Sequence, residues 1–240
     1  MIIAANIGVE FFFNRHLRVV TPGEARLRGQ GLTTWGLRDV TFSIEQGVGT
    51  ALIGPSGSGK TTLLRVLAGV YTPDRGRIDI RGRVASLLSI DAGLLPLLTG
   101  RENALLLGVL GGLSRRAAMR ALSDVKARSA LGDAFERPVL TYSQGMKARL
   151  GLAVAEEAQP QILVLDEVHE ALDHEFRHFL QERARALLDA GGIVVAAGHD
   201  HPMLASLCTR ALWLENGSIR QHGPFEEIQP RYLEAVRSGS

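Results

Sequence analysis

The run Gly54-Pro-Ser-Gly-Ser-Gly-Lys60-Thr61 constrains this chain more than any other feature. It fits G-x-x-x-x-G-K-[ST], and its flanks carry the periodicities that pattern requires. Ala51, Leu52 and Ile53 form a short apolar strand leading in, and Leu64, Leu67 and Ala68 recur at helical spacing between Thr61 and Gly69. Glycines at such a bend let successive backbone N–H groups turn inward on an anion with no side chain in the way. A helix opening near Lys60 adds the positive end of its dipole. The expectation is a phosphate loop of Gly54, Pro55, Ser56, Gly57, Ser58, Gly59, Lys60, Thr61 and Thr62. Lys60 would reach the β- and γ-phosphates of a nucleotide as a catalytic charge, and the Thr61 hydroxyl would coordinate Mg²⁺. A Gly/Ser-rich turn that merely precedes a lysine has no need of strand and helix so placed.

A second apolar run, Ile162 to Leu165, ends in Asp166-Glu167. Continuous hydrophobicity marks a central parallel strand covered on both faces, and open α/β sheets bind ligands at the carboxyl ends of such strands. Asp166 is suited to hold Mg²⁺ through water beside Thr61. Glu167, one residue on, points elsewhere and can polarise the attacking water as a general base. A third run, Ile193 to Ala197, delivers His199 through Gly198 to the same edge, where a neutral imidazole can hydrogen-bond a γ-phosphate oxygen and the water. By itself, Asp-Glu is often a polar cap and a loop histidine a solvated group; the phosphate loop upstream favours chemistry for both. His174 and His178 stand i, i+4 on one expected helix, but no third ligand accompanies them, so they read as a solvated face.

The remaining pattern fills in the architecture. Residues 1–50 read as short strands at Ile2–Phe13, Arg18–Val20 and Leu37–Glu45, an antiparallel region, with further strands at Ile78–Ile80 and Val84–Leu88. Helical spacing runs from Arg101 to about Ala130, from Ser143 to Glu157, and from Glu175 to Ala190 before Gly191-Gly192. This is an α/β core with a helical insertion. At 240 residues and 45% hydrophobic side chains, one domain suffices. A net charge of +2, from 27 basic and 25 acidic residues, is too balanced for a nucleic-acid partner, and Arg115, Arg116 and Arg120 read as an exposed helix face. The single cysteine, Cys208, reads as a small buried apolar side chain in a reducing compartment. No run is long and apolar enough to span a bilayer, and the N-terminus lacks the marks of a signal peptide. A cytoplasmic protein is expected, with no transmembrane segment of its own and any membrane role supplied by a partner.

Thr141-Tyr142-Ser143-Gln144-Gly145-Met146-Lys147 lies ahead of the Asp166 strand and opens a helix. In that order after a phosphate loop, it resembles the signature motif of ABC-transporter ATPases. Glu170-Ala-Leu-Asp173 resembles that family's D-loop, His199 matches its switch histidine, and Trp213-Leu-Glu-Asn-Gly217 resembles its closing strand turn. The resemblance implies a P-loop NTPase (RecA-like) core with an antiparallel β subdomain and a helical insertion subdomain. Residues 1–90 and 158–225 would form the nucleotide-binding core, 91–157 the insertion with the signature, and 226–240 a C-terminal tail. It also implies ATP and Mg²⁺ as ligands and a homodimer in which Ser143 and Gly145 of one subunit bind the γ-phosphate of ATP held by the other. Asp173 would line the dimer seam. An integral membrane permease would be the partner, placing the chain peripherally on the cytoplasmic face of the inner membrane.

Tyr-Ser-Gln-Gly-Met at the signature, with Leu98-Thr-Gly-Arg-Glu-Asn103, resembles the ATPases of polysaccharide exporters, which move O-antigen, capsule, teichoic acid or galactan chains. Three departures stand out. The glutamine usual before Asp91-Ala-Gly-Leu is absent, and Asp91 would reach Mg²⁺ through water instead. No tyrosine lies in the first strand to stack on adenine; of Phe11, Phe12 and Phe13, Phe13 best matches the family position. Val168 replaces the proline that commonly follows the catalytic glutamate. The stretch Leu94–Gly112 would pass motion to the permease. Among rivals, chromosome- or repair-type ATPases insert long coiled coils between loop and signature, for which Lys60 to Ser143 has no heptads and no room. An ATP sensor without turnover would have no use for Glu167 and His199. An exporter of lipid or drug differs only in substrate.

Overall fold

The computed structural model describes residues 1–14, 19–22, 32–88, 93–166 and 174–238. Two sheets carry the fold. The first is antiparallel and centred on β1 (Ile2–Asn14). β3 (Leu32–Ile44) runs along one side of it; β5 (Arg75–Ile80) and β2 (Val19–Pro22) share the other. The second sheet has the order β10-β9-β4-β8-β7-β6, built from β4 (Gly49–Ile53), β6 (Val84–Leu87), β7 (Ile162–Asp166), β8 (Ile193–Ala197), β9 (Arg210–Glu215) and β10 (Ser218–Pro224). All its pairs are parallel except β9 with β10.

β4, β7 and β8 are buried along their whole length, as their unbroken apolar runs require. Their side chains alternate between two cores with the strand period of two. Leu52, Ile162, Val164 and Val195 face the antiparallel sheet and α1 (Lys60–Leu67). Ala51, Ile53, Leu163, Leu165 and Val194 face α5 (His174–Asp189), α6 (His201–Leu207) and α7 (Phe225–Ser238). Cys208 joins this second core, where burial pushes its thiol pKa up to about 12.

The helical insertion has a core of its own around Phe135, Leu122, Val125 and Leu150. The long helical run expected from Arg101 is two helices, α2 (Gly100–Leu110) and α3 (Arg115–Ser129). Gly111 and Gly112 divide them, Gly112 at φ +98, a conformation that excludes most side chains. Thr99 and Glu102 close a reciprocal capping box at the start of α2, and Ser114 caps α3. α4 (Gln144–Glu157) joins the two halves of the molecule: Ala148 and Leu152 pack on the sheet, while Leu150, Ala153 and Val154 pack into the insertion.

Two elements depart from the sequence reading. α6 has no counterpart in it, because seven residues give too little periodicity to register. The tail expected over 226–240 is mostly helix: α7 places Phe225, Ile228 and Tyr232 in the main core. Its polar composition and the internal Pro230 hide it.

Candidate functional site

The site is built on the carboxyl edge of the parallel sheet. Strand register puts Leu52 of β4, Ala197 of β8 and Asp166 of β7 in one row. The loop that follows β4 starts two residues beyond that row, and Gly198-His199 follows β8 directly. Gly54–Thr62, Asp166 and His199 therefore converge from three separated stretches of sequence.

The phosphate loop has the predicted form. Gly54 lies at φ +149 and Gly59, the N-cap of α1, at φ +106. A Cβ on Gly54 would stand 2.2 Å from the carbonyl oxygen of Leu214, and one on Gly59 would stand 2.7 Å from that of Gly36. Only glycine fits either place. Lys60 is buried and its ammonium donates to the carbonyls of Gly54 at 2.7 Å and Pro55 at 3.1 Å. The Ser58 hydroxyl is buried with no hydrogen-bond partner among the described residues. A buried polar atom in that condition is costly unless a ligand supplies the bond. Pro55, Ser56 and Gly57 face solvent at the loop's crown, while Thr61 and Thr62 are half-buried in the first turn of α1.

Sequence reasoning missed the braces behind the loop. The Gly217 N–H donates to the Ser58 carbonyl at 3.0 Å, and the Gly217 carbonyl accepts from the Arg38 N–H at 2.7 Å. The turn between β9 and β10 thus ties β3 to the phosphate loop. The glycine in Asn216-Gly217 is a visible turn signal; nothing in the sequence marks Gly36 or Arg38.

Asp166 is buried at the end of β7, a hard oxygen donor that suits Mg²⁺ together with Thr61. His199 is exposed at the edge. Its loop is held because the next residue, Asp200, accepts the Met203 N–H at 3.0 Å as the cap of α6 and pairs with Arg177 at 3.6 Å. Burial first, and the nearby His199 second, hold the His201 imidazole below its ordinary pKa range.

Of the three phenylalanines, Phe11 lies against the loop helix. A Cβ on Gly36 would meet the Phe11 ring at 2.3 Å and the Thr62 methyl at 3.2 Å, so these groups share one small space. The Phe11 ring also packs edge-on against Tyr71, their centroids 5.7 Å apart. Phe13 belongs to β1, but its side chain lies outside the described residues, as do Asp91, Glu167, Val168 and Asp173. Their expected roles have no geometry here.

Ser143 and Gly145 stand at the start of α4 beside the insertion core, Ser143 exposed and Gly145 buried. Ser143 caps α4, its hydroxyl accepting the Met146 N–H at 3.2 Å. The motif is anchored from behind: the buried Tyr142 hydroxyl donates to the Ala134 carbonyl at 2.6 Å, and the Leu140 N–H donates to the Pro96 carbonyl at 2.8 Å. Ser143 is left exposed at a helix N-terminus, a place where backbone N–H groups and the dipole favour an anion. His178 faces solvent, 3.6 Å from Glu182.

Comparison with known proteins agrees with this geometry. The family described as ABC transporter matches residues 37–170. The O-antigen export system ATP-binding protein RfbB of Klebsiella pneumoniae is 36% identical over 83% of this chain and 81% of its own length. Its namesake in Myxococcus xanthus is 35% identical over 89% of this chain, which spans 49% of that longer protein. The teichoic acids export ATP-binding protein TagH of Bacillus cereus is 33% identical over 86% of this chain and 38% of its own length. In fold, the ATP-binding cassette MJ0796, solved as a dimer in a post-hydrolysis state with ADP and Pi, superposes with a TM-score of 0.74 over 94% of this chain and 99% of its own, at 21% identity. Motif order, fold and relatives converge on one conclusion: the chain belongs to the ABC transporter family.

Proposed function

We propose that the chain is the ATP-hydrolysing subunit of an exporter, working as a homodimer against a separate membrane permease and moving a lipid-linked polysaccharide. The observation that carries the catalytic half is the strand register, which brings Lys60, Thr61, Asp166 and His199 to one sheet edge. Glycine-lined N–H groups and Lys60 hold the β- and γ-phosphates. Mg²⁺, when bound, would sit between the Thr61 hydroxyl and Asp166 and neutralise phosphate charge. Glu167 takes a proton from the attacking water as its oxygen bonds to the γ-phosphorus and the bond to ADP breaks, while His199 hydrogen-bonds the γ-phosphate. On adenine, Phe13 is the ring whose sequence position matches the family, and Phe11 lies nearby beside Thr62.

The dimer follows from a division within one chain: an anion cradle on the sheet edge and an exposed helix tip on the insertion. ATP gripped from both sides would close two copies together, and loss of the γ-phosphate would release them. A cleft of about 550 Å³ between β6 and the insertion, lined by Val84, Leu94, Leu107, Leu113 and Val154, supports docking of a permease segment on the stretch Leu94–Gly112. Glycan export rests on the relatives named for O-antigen and teichoic acid. No helix among the described residues is long and apolar enough to cross a membrane, which fits a peripheral subunit on the cytoplasmic face of the inner membrane.

The test is nucleotide binding and phosphate release in two variants. Lys60→Ala loses charged hydrogen bonds worth about 1.5–3 kcal/mol, so ATP affinity falls at least about tenfold. Glu167→Gln keeps ATP affinity and loses about 10²- to 10⁴-fold in turnover. Full affinity in the first variant, or full turnover in the second, contradicts the reading.

A further inference from the structure

The turn joining α2 to α3 carries a surface that the nucleotide site does not use. Leu110 is 71% exposed, Met119 54% and Val109 40%. Burying such side chains is favourable and exposing them together is not. Gly108 abuts Ala118, where a Cβ on the glycine would come within 3.3 Å, so the end of α2 crosses the first turns of α3. Val109 and Leu110, the next two residues, are exposed beside that crossing.

That face is also cationic. Positions 116, 119, 120, 123, 124 and 127 fall on the side of α3 away from the buried Ala118, Leu122 and Val125, and Arg115 opens the helix at the border of that side. They read Arg116, Met119, Arg120, Ser123, Asp124 and Ala127, all exposed, so with Arg115 the arginines outnumber the one carboxylate. None of the three arginines has a carboxylate partner among the described residues, whereas Lys126 and Arg128 on the same helix both have one. Arginine stems lie along apolar surface while their guanidinium groups reach outward, so exposed apolar side chains and arginines on one turn serve the same kind of surface.

We infer that the α2–α3 turn rests on the anionic lipid headgroups of the bilayer: Leu110, Val109 and Met119 enter the interfacial layer while Arg115, Arg116 and Arg120 pair with lipid phosphates. Charge and apolarity together select this occupant. Anionic lipid rewards each nearby arginine by an interaction screened by salt, and the headgroup boundary accepts apolar side chains. The placement agrees, since Gly108, Gly111 and Leu113 of the same turn line the cleft assigned to the permease. That agreement rests on the permease reading; the surface chemistry does not.

The test is flotation of the full chain with vesicles of phosphatidylglycerol and phosphatidylethanolamine, against vesicles of phosphatidylcholine alone. Binding to the anionic vesicles only, weakened by salt, is expected. Arg115→Gln, Arg116→Gln and Arg120→Gln combined reduce vesicle affinity by about a hundredfold, at about 1 kcal/mol per arginine. Met119→Glu also weakens vesicle binding. Both variants keep basal ATP hydrolysis, which shows they are folded. No flotation of the parent chain, or binding indifferent to lipid charge and to the arginines, overturns the inference. Co-purification with the permease is scored separately. Loss of the permease from the arginine variant, with no vesicle binding by the parent, assigns the face to protein. Intact vesicle binding with no permease association in any variant removes the permease reading and leaves this one standing.

Discussion

At the scale of single residues, the phosphate loop is fixed by sterics before any ligand arrives. Gly54 holds a positive φ with the Leu214 carbonyl 2.2 Å from where a Cβ would be. Gly54→Ala must move backbone against backbone, so it lowers stability by more than about 1 kcal/mol and weakens ATP binding; thermal unfolding and a nucleotide titration check both. Unchanged melting would mean that the loop is not braced as described. The loop glycines, Lys60, Asp166 and His199 are legible because each sits at a change of periodicity, where an apolar strand meets a polar residue out of place in a core. Gly36 and Arg38 are not, because their importance is a contact between distant stretches and leaves no local pattern; Gly217 shows as a turn but not as a brace. Three adjacent phenylalanines look alike in the sequence for the same reason, and only the structure shows that Phe11 lies beside the helix that follows the loop.

Elements show where one chain divides its labour. The insertion is packed around Phe135, fully buried and also roofed by the Arg101 guanidinium 5.5 Å from its ring centroid. Phe135→Ala costs about 3–5 kcal/mol, and the cost falls on the insertion because its core is separate from the two that hold the sheet. The variant should keep ATP binding by Lys60 and Thr61 while losing hydrolysis, since Tyr142, next to the Ser143 cap of α4, is part of that core. Hydrogen exchange over α2, α3 and α4 beside a nucleotide titration reads the two effects apart; equal loss of both would show one cooperative core. Strands are readable at this scale, since unbroken apolar runs become central parallel strands. α6 and α7 are less so: one is too short for its period to show, and the other is polar enough that only tertiary contact reveals its buried side.

The whole molecule places the glycine-lined loop at the sheet edge and Ser143 at a helix tip on the insertion, the two ends that the proposed reading assigns to one shared nucleotide. That division gives the fold a reason to pair with a copy of itself. α4 connects the parallel sheet to the insertion by contributing to both cores. A permease segment in the cleft beside β6 would feel any rotation of one body against the other. The most direct test is the mass of the Glu167→Gln chain in solution by light scattering, with and without ATP. The account predicts a monomer that doubles in mass on adding ATP, and no doubling when Ser143→Arg is added. A mass that stays single with ATP bound, or doubles regardless of Ser143, would contradict it.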